Sequence, residues 1–308
     1  MTDNREAATA PVLVTGATGN VGREVVRALR ARGRHVRAGV RRMADGDQLH
    51  GTGAEIVAFD FQDPDTFAAA AAGASAVFLL RPPAISKVGP TLNAFVDVAV
   101  DEGVGHVVFL SVIGADKNSI VPHHAVEEHL RSCNAPWTFL RPGFFAQNLS
   151  DAYRLDIRDD DRLFVPAEEA SVAFVDVRDV AELAAAALGN AEHYGQGYTL
   201  TGPEAVTFEQ LAMMLTQVLG RPIRYQRAGR QEYFNHLSHR HGLSFAHRVV
   251  QTILHVGLSY GDGATVDPTL PRLLGHPTRT MQQFIRDYAE LWRRPTNLHT
   301  NEIGVASD

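Results

Sequence analysis

Val12-Leu13-Val14-Thr15-Gly16-Ala17-Thr18-Gly19-Asn20-Val21-Gly22 runs from a short apolar stretch straight into three spaced glycines, and the amphipathic segment Arg23 to Arg30 follows. The pattern suits a buried strand that stops abruptly, a backbone that passes close to a pyrophosphate, and a helix that starts with its free N–H groups aimed at that anion. Gly16 permits the tight turn, Gly19 leaves room for phosphate, and Gly22 lets the helix lie close to the strand. Glycine triplets also arise by chance in a chain with 26 Gly, so context decides the reading. Here the motif follows the first strand-like run, and a second, His35-Val36-Arg37-Ala38-Gly39-Val40, returns at βαβ spacing. Gly16, Ala17, Thr18, Gly19, Asn20, Val21 and Gly22 are therefore expected to form a dinucleotide-binding turn.

The end of the second strand selects the dinucleotide. An acidic residue there holds the ribose 2′-hydroxyl of NAD, whereas arginine can neutralise the 2′-phosphate of NADP. This chain has Arg41-Arg42. A guanidinium binds phosphate through two parallel charge-assisted hydrogen bonds, so NADP(H) is the expected cofactor. The alternative is a solvated arginine pair at a strand end.

Strand-like and helix-like runs alternate through the first half, which argues for a parallel sheet covered on both faces. Strands are expected at 55–59, 76–80, 107–110 and 137–140, and helices at 65–72, 91–100 and 122–131. Beyond Ser150 the pattern loosens, with a strand at 173–175, a helix at 180–188, a strand at 197–200, and a helix opened by the capping box Thr207 to Gln210 and closed at Gly220. The fold expected is α/β: a Rossmann-like doubly wound parallel sheet with a smaller C-terminal substrate-capping lobe. Residues 1–10 read as a flexible tail, 11–150 as the NADP-binding domain, and 151–308 as sheet completion plus cap.

Composition sets the outer limits. With 308 residues, 45% hydrophobic and 21% charged, the chain can bury one large core or a core and a smaller lobe. A net charge of −6 offers no general attraction to nucleic acid or an anionic membrane, and a small molecule is the expected partner. The start of the chain has no apolar core that would mark a signal peptide or membrane anchor. A single cysteine, Cys133, excludes an internal disulfide and a cysteine-rich zinc site, which fits the cytoplasm. The stretch from Arg230 to Leu258 carries His236, His239, His241, His247 and His255 among apolar residues. With no carboxylate or cysteine completing a ligand set there, a cap helix is favoured and no metal is assigned. A homodimer is compatible with the sequence, which leaves oligomeric state open.

Four stretches carry a family resemblance: Thr15 to Gly22; Val40-Arg41; Trp137-Thr138-Phe139-Leu140-Arg141-Pro142-Gly143-Phe144-Phe145-Ala146-Gln147-Asn148; and Leu274-Gly275-His276-Pro277-Thr278-Arg279-Thr280. Together they resemble the NmrA-like branch of the atypical short-chain dehydrogenases/reductases, and especially its NAD(P)H:quinone oxidoreductases. The resemblance implies that Gly143, Phe144 and Phe145 lie under the nicotinamide half of the cofactor, with Asn148 as the polar end of that floor. On residue chemistry alone, the Phe144-Phe145 pair after a strand is equally compatible with core packing. Asp60 and Phe61 are expected to flank the adenine, and Leu80, Arg81 and Pro82 the central ribose and phosphates. Ser111, at the end of the fifth strand, belongs to the same set of strand-end loops.

The wider superfamily places Tyr and Lys four residues apart on the helix after the fifth strand. That pair is missing: Lys occurs only at Lys87 and Lys117, and the helix reads His123-His124-Ala125-Val126-Glu127-Glu128-His129. The NmrA-like group lacks the pair as well. His123 and Glu127 fall one helical turn apart, so an imidazole could donate a proton while the carboxylate orients it. The other reading makes Glu127 a structural tie and the histidines surface residues. Without the Tyr-Lys acid, hydride transfer suits acceptors needing little proton help, such as quinones, azo bonds or imines. A non-catalytic NADP(H)-binding redox sensor is the second reading, and an epimerase or dehydratase the third.

Overall fold

The computed structural model describes residues 10–240, 242–261 and 263–294. The expected tail, apart from Ala10, and His241 lie outside them. In chain order the first half contains β1 (Val12–Val14), α1 (Asn20–Ala31), β2 (Val36–Val40), β3 (Glu55–Ala58), α2 (Phe67–Ala71), β4 (Ala76–Leu80), α3 (Ala94–Asp101), β5 (Val107–Leu110), α4 (Pro122–Ser132) and β6 (Trp137–Pro142). The second half adds α5 (Arg154–Asp160), β7 (Arg162–Val165), β8 (Ser171–Val172), α6 (Val177–Ala187), β9 (Gln196–Leu200), β10 (Val206–Thr207), α7 (Phe208–Leu219), β11 (Arg224–Arg227), α8 (Arg230–His239), α9 (Phe245–Leu258), α10 (Thr269–Leu274) and α11 (Met281–Asp287).

Seven strands pair in the order β3-β2-β1-β4-β5-β6-β9, each pair parallel, so the doubly wound architecture is as expected. Side chains alternate across the sheet because a strand repeats every two residues. Val12 and Val14 face α1 and α6 with Phe78, Val108 and Leu140. Leu13 points the other way, into a core shared by Val77, Leu79, Phe109, Phe139, Phe67, Phe95 and Val126. Both faces of the central strands β1, β4 and β5 are covered, which is why these three are almost wholly apolar.

The second half divides its residues. Strand β9 extends the sheet, while α6 packs closely on α1. The rest builds a separate apolar core around Tyr153, Leu163, Phe174, Phe208, Leu211, Tyr233, Phe284 and Trp292. The Trp292 indole N–H donates to the Leu149 carbonyl at 2.9 Å and ties the end of this lobe to the segment after β6.

Some boundaries move. Helix α1 starts at Asn20, with Gly19 as its N-cap, so Asn20 to Gly22 form its first turn. Strand β6 continues through Arg141 and Pro142 because β9 pairs with it to that point, Pro142 opposite Leu200. The strand expected at 173–175 is corrected: regular pairing occurs at Ser171–Val172 against β10, and Val175 makes only an isolated bridge to Phe145. The histidine-bearing stretch is two helices, α8 and α9.

Candidate active site

The glycine turn is shaped from the backbone up. Gly16 has φ +62°, a left-handed conformation that glycine takes without a side-chain clash. A Cβ on Gly22 would sit 2.2 Å from the Gly16 carbonyl oxygen, so only glycine lets α1 approach this closely. The N-cap Gly19 has no side chain to satisfy the first N–H groups of α1, and no acidic residue occupies the first turn. These free donors, exposed beside Gly19 and Asn20, fit an anionic pyrophosphate. Ala17, Val21 and Gly22 face inward, while Thr18 supplies its carbonyl to Arg23 at 3.0 Å. Arg23 also reaches Gln48 at 2.9 Å and leaves its Nε buried without a partner. A cation in the first turn of a helix opposes the dipole, and that is the signal that marks Arg23 as the residue sequence reasoning passed over.

Arg41 and Arg42 follow β2 and are both exposed. They differ in availability. Arg42 is engaged by Asp45, Nη2 to Oδ1 at 2.8 Å and Nε to Oδ2 at 3.2 Å, whereas Arg41 has no hydrogen-bond partner among the described residues. Asp60 stands at the end of the strand-3 segment and closes a turn by accepting from the Gln62 N–H at 2.9 Å. Phe61 requires a correction: its ring is buried against Phe59 and Phe95, at centroid distances of 4.8 and 5.8 Å, so its side chain belongs to the core and only its backbone is left for an adenine.

Thr15, Leu80, Arg81 and His123 lie in a continuous chain of contacts. The Thr15 hydroxyl accepts from the Leu80 N–H at 2.9 Å, and Leu80 lines the position where a Gly16 Cβ would fall, its Cδ2 3.1 Å away. Arg81 donates from Nη1 to the carbonyls of Pro82 (3.2 Å) and Ile85 (2.6 Å), bracing the loop after β4. Its Nε donates to His123 Nε2 at 3.2 Å. A neutral imidazole that accepts at Nε2 carries its proton at Nδ1, and this atom is buried without a partner. Burial, then the Arg81 charge, pushes His123 down to about 3 despite the opposing pull of Glu127.

Glu127 does not orient His123, which corrects the expected dyad. Its carboxylate accepts from Ser111 Oγ at 2.6 Å, from Arg141 Nε at 2.9 Å and Nη2 at 2.6 Å, and from Arg131 Nη2 at 2.9 Å. With two arginines and a hydroxyl engaged, no lone pair is directed at the imidazole. Ser111 is corrected with it: the side chain is buried and its hydroxyl committed to Glu127, so a dinucleotide could meet only its backbone.

The segment Gly143 to Asn148 follows β6. The Gly143 N–H donates to the Leu200 carbonyl at 2.9 Å, and Val175 bridges Phe144 and Ala146 through backbone bonds of 2.9 Å each. Phe144 packs edge-on to Phe174 and His255, while Phe145 leans on the opposite core; both stay partly exposed. Asn148 is half-buried and its carbonyl accepts from the Tyr153 N–H at 2.9 Å. Gln147, unremarked in the sequence reading, is the latch: its amide donates to Asp176 at 3.0 Å and accepts from the Val177 N–H at 3.0 Å, locking this segment to the start of α6. Ile113 is exposed and lies 3.2 Å from where a Gly143 Cβ would be, adding apolar surface beside this segment.

Comparison with known proteins shows the family and the fold. The profile of the NmrA-like family matches residues 8–300. An NAD(P)H azoreductase of Xenophilus azovorans is 31% identical over 90% of this chain and 98% of its own. A (4-alkanoyl-5-oxo-2,5-dihydrofuran-3-yl)methyl phosphate reductase of Streptomyces griseus is 33% identical over 91% of this chain and 98% of its own. Among solved structures, the NADPH complex of the NADPH-dependent quinone oxidoreductase of Escherichia coli superposes with a TM-score of 0.80 at 25% identity, covering 90% of this chain and 99% of the other.

Proposed function

The chain belongs to the NmrA-like family, and from that premise we infer that it is an NADPH-dependent oxidoreductase that reduces a small conjugated acceptor of the quinone, azo or imine type. The observation that carries this is the uncapped, acid-free start of α1 behind the Gly16–Gly22 turn, with Arg41 exposed at the end of β2. When bound, NADPH supplies a hydride from its nicotinamide ring. The N–H groups at the start of α1 hold the pyrophosphate and Arg41 the 2′-phosphate. Arg81 braces the loop beside the central ribose, and Gly143, Phe144, Phe145 and Asn148 form the floor under the nicotinamide. Phe144, Phe145 and Ile113 keep water from the acceptor.

Proton supply follows from the state of His123. Burial beside Arg81 keeps it neutral, so it supplies no imidazolium proton. An acceptor that tolerates this takes hydride first and forms a stabilised anion, then takes its proton from water once it leaves the shielded site. Quinone reduction balances in this way: quinone, hydride and one proton give the hydroquinone anion's neutral form. Ketones, whose alkoxides are strong bases, fit poorly.

No helix among the described residues is long and apolar enough to cross a membrane. We place the protein in the cytoplasm, on the strength of its single, unpaired Cys133. The test is stopped-flow decay of NADPH absorbance on mixing with panels of quinones, azo dyes and iminium compounds. Turnover with at least one class is the expected result. Tight NADPH binding with no turnover on any acceptor would replace the enzyme by a redox sensor.

A further inference from the structure

On the outer side of α3 and α4, the Asp97 carboxylate, the His129 imidazole and the Cys133 thiol converge, with ligand atoms all within 4.8 Å of one another. His129 and Cys133 are four residues apart, and the Cys133 N–H still donates to the His129 carbonyl at 3.2 Å, so both side chains project from one side of the helix end. Asp97 comes from the neighbouring helix and meets His129 Nε2 at 2.7 Å. All three are reached by solvent to some degree. The nearest cation on the same helix turn, Arg131, is held elsewhere by Glu127 and Glu128 and lies over the Trp137 ring.

We propose that Asp97, His129 and Cys133 bind a divalent zinc-class metal ion. Sulfur, imidazole nitrogen and one carboxylate oxygen are the donor set that zinc and cobalt(II) select, and a poor set for magnesium or calcium, which take oxygen ligands in greater number. On binding, the thiol forms the metal–sulfur bond and releases its proton to water; thiolate and carboxylate then balance the two positive charges. Tetrahedral bonds of about 2.1 Å place ligand atoms roughly 3.4 Å apart. The Asp97–His129 contact has to open slightly and Cys133 to swing inward, both rotations of partly exposed side chains. Three protein donors leave a fourth position for water. The ion would clamp α3 to α4, the helix that carries His123 near its other end and Glu127 at its middle.

The experiment uses the full, tag-free chain after chelator treatment, titrated with cobalt(II). A thiolate-to-cobalt absorption band in the near-ultraviolet, with intensified visible bands, is the expected result. Cys133→Ser should abolish the near-ultraviolet band. His129→Ala and Asp97→Ala should each weaken zinc in chelator competition by at least about 100-fold, since even outer partners of metal ligands are worth 10–100-fold. Unchanged NADPH binding in the three variants reports an intact fold. Absence of the thiolate band at excess cobalt, or a band undiminished in both His129→Ala and Asp97→Ala, overturns the proposal.

Discussion

Arg141 grips Glu127 with two parallel hydrogen bonds, Nε to Oε1 at 2.9 Å and Nη2 to Oε2 at 2.6 Å, across the gap between β6 and α4, and the carboxylate is fully buried. Glu127 lies on the helix on which the wider superfamily keeps its tyrosine and lysine, and Arg141 on the strand beside it. The Glu127 carboxylate joins Ser111, at the end of β5, to the strand that leads into the Gly143–Asn148 segment. Burial alone would raise the Glu127 pKa, but hydrogen bonds from Arg141 and Ser111, with the charges of Arg141 and Arg131, hold it below its ordinary value of 4.5. A depressed carboxylate contributes stability that is present above its unfolded pKa and lost as pH falls through the folded one. Glu127→Gln should therefore cost about 3–5 kcal/mol in urea denaturation at pH 7, because two guanidiniums lose their counter-charge. The gap between variant and parent should narrow below pH 4. An equal gap at all pH values would mean that the charge is not what holds the strand.

The proposed 2′-phosphate site offers two arginines in different states. Arg41→Ala removes the exposed guanidinium and should weaken NADPH binding about 10–100-fold, the worth of one or two charge-assisted hydrogen bonds, with NADH affinity unmoved. Asp45→Ala tests the other arginine: releasing Arg42 from its carboxylate should tighten NADPH several-fold. Calorimetric titration with both nucleotides checks each. If Arg41→Ala binds both dinucleotides as the parent does, the 2′-phosphate is held elsewhere.

The turn itself predicts a ranking. In Gly22→Ala the new Cβ meets the Gly16 backbone at 2.2 Å, which no side-chain rotation relieves; in Gly19→Ala the nearest atom is 3.3 Å away. Gly22→Ala should lower the melting temperature and abolish NADPH binding. Gly19→Ala should leave the melting temperature nearly unchanged while still weakening NADPH, because its methyl would intrude mainly where the proposed pyrophosphate would lie. Equal melting temperatures for the two would refute the backbone reading.

What was legible in the chain follows from which physics is local. The centre of the sheet could be read because its inner strands are buried on both faces and flanked by turns, so Val12-Leu13-Val14 or Val107-Val108-Phe109-Leu110 is apolar throughout. Strand β11, Arg224-Tyr225-Gln226-Arg227, is mostly exposed and polar, and only its pairing with β7 makes it a strand. The glycine turn was legible because its demands are backbone demands. Phe61 was misplaced because its position at a strand end says nothing about Phe59 and Phe95 beside it. The His123–Glu127 dyad failed for a similar reason: helical spacing brings two residues to one side, but Arg141, fourteen residues away, and Ser111 compete for the carboxylate.

Acid should unfold the protein through histidines held neutral. His106 is fully buried; its Nδ1 accepts from the Gly189 N–H at 3.1 Å and its Nε2 meets Thr138 Oγ1 at 2.9 Å. Protonation would set two donors face to face at Nδ1. Burial, with the nearby His193, brings His106 down to about 4, and burial brings His255 to about 4 against the opposing bond to Gln251. The unfolded chain binds protons near 6.5 and the folded one does not, so stability is full above 6.5 and declines as pH falls toward 4. Each histidine accounts for at most about 3 kcal/mol of that decline. Urea midpoints at pH 7, 6 and 5 measure it, and His106→Gln should flatten the slope. A parent whose midpoint is constant from pH 7 to 5 would contradict it.

His123 predicts the shape of the rate profile. An imidazolium acid would make kcat/KM for quinone reduction fall as pH rises through its pKa, near 6.5 for an ordinary histidine. Here burial and Arg81 bring that pKa to about 3, so the residue is neutral over the whole working range. The profile should show no ionisation between pH 5 and 8. His123→Gln keeps an acceptor for Arg81 and should lower kcat/KM only modestly. His123→Leu leaves the Arg81 Nε without its acceptor and should weaken NADPH about fivefold, the value of one hydrogen bond of about 1 kcal/mol. A single ionisation near pH 6.5 that is present in the parent and missing from His123→Gln would return the imidazole to the role of proton donor.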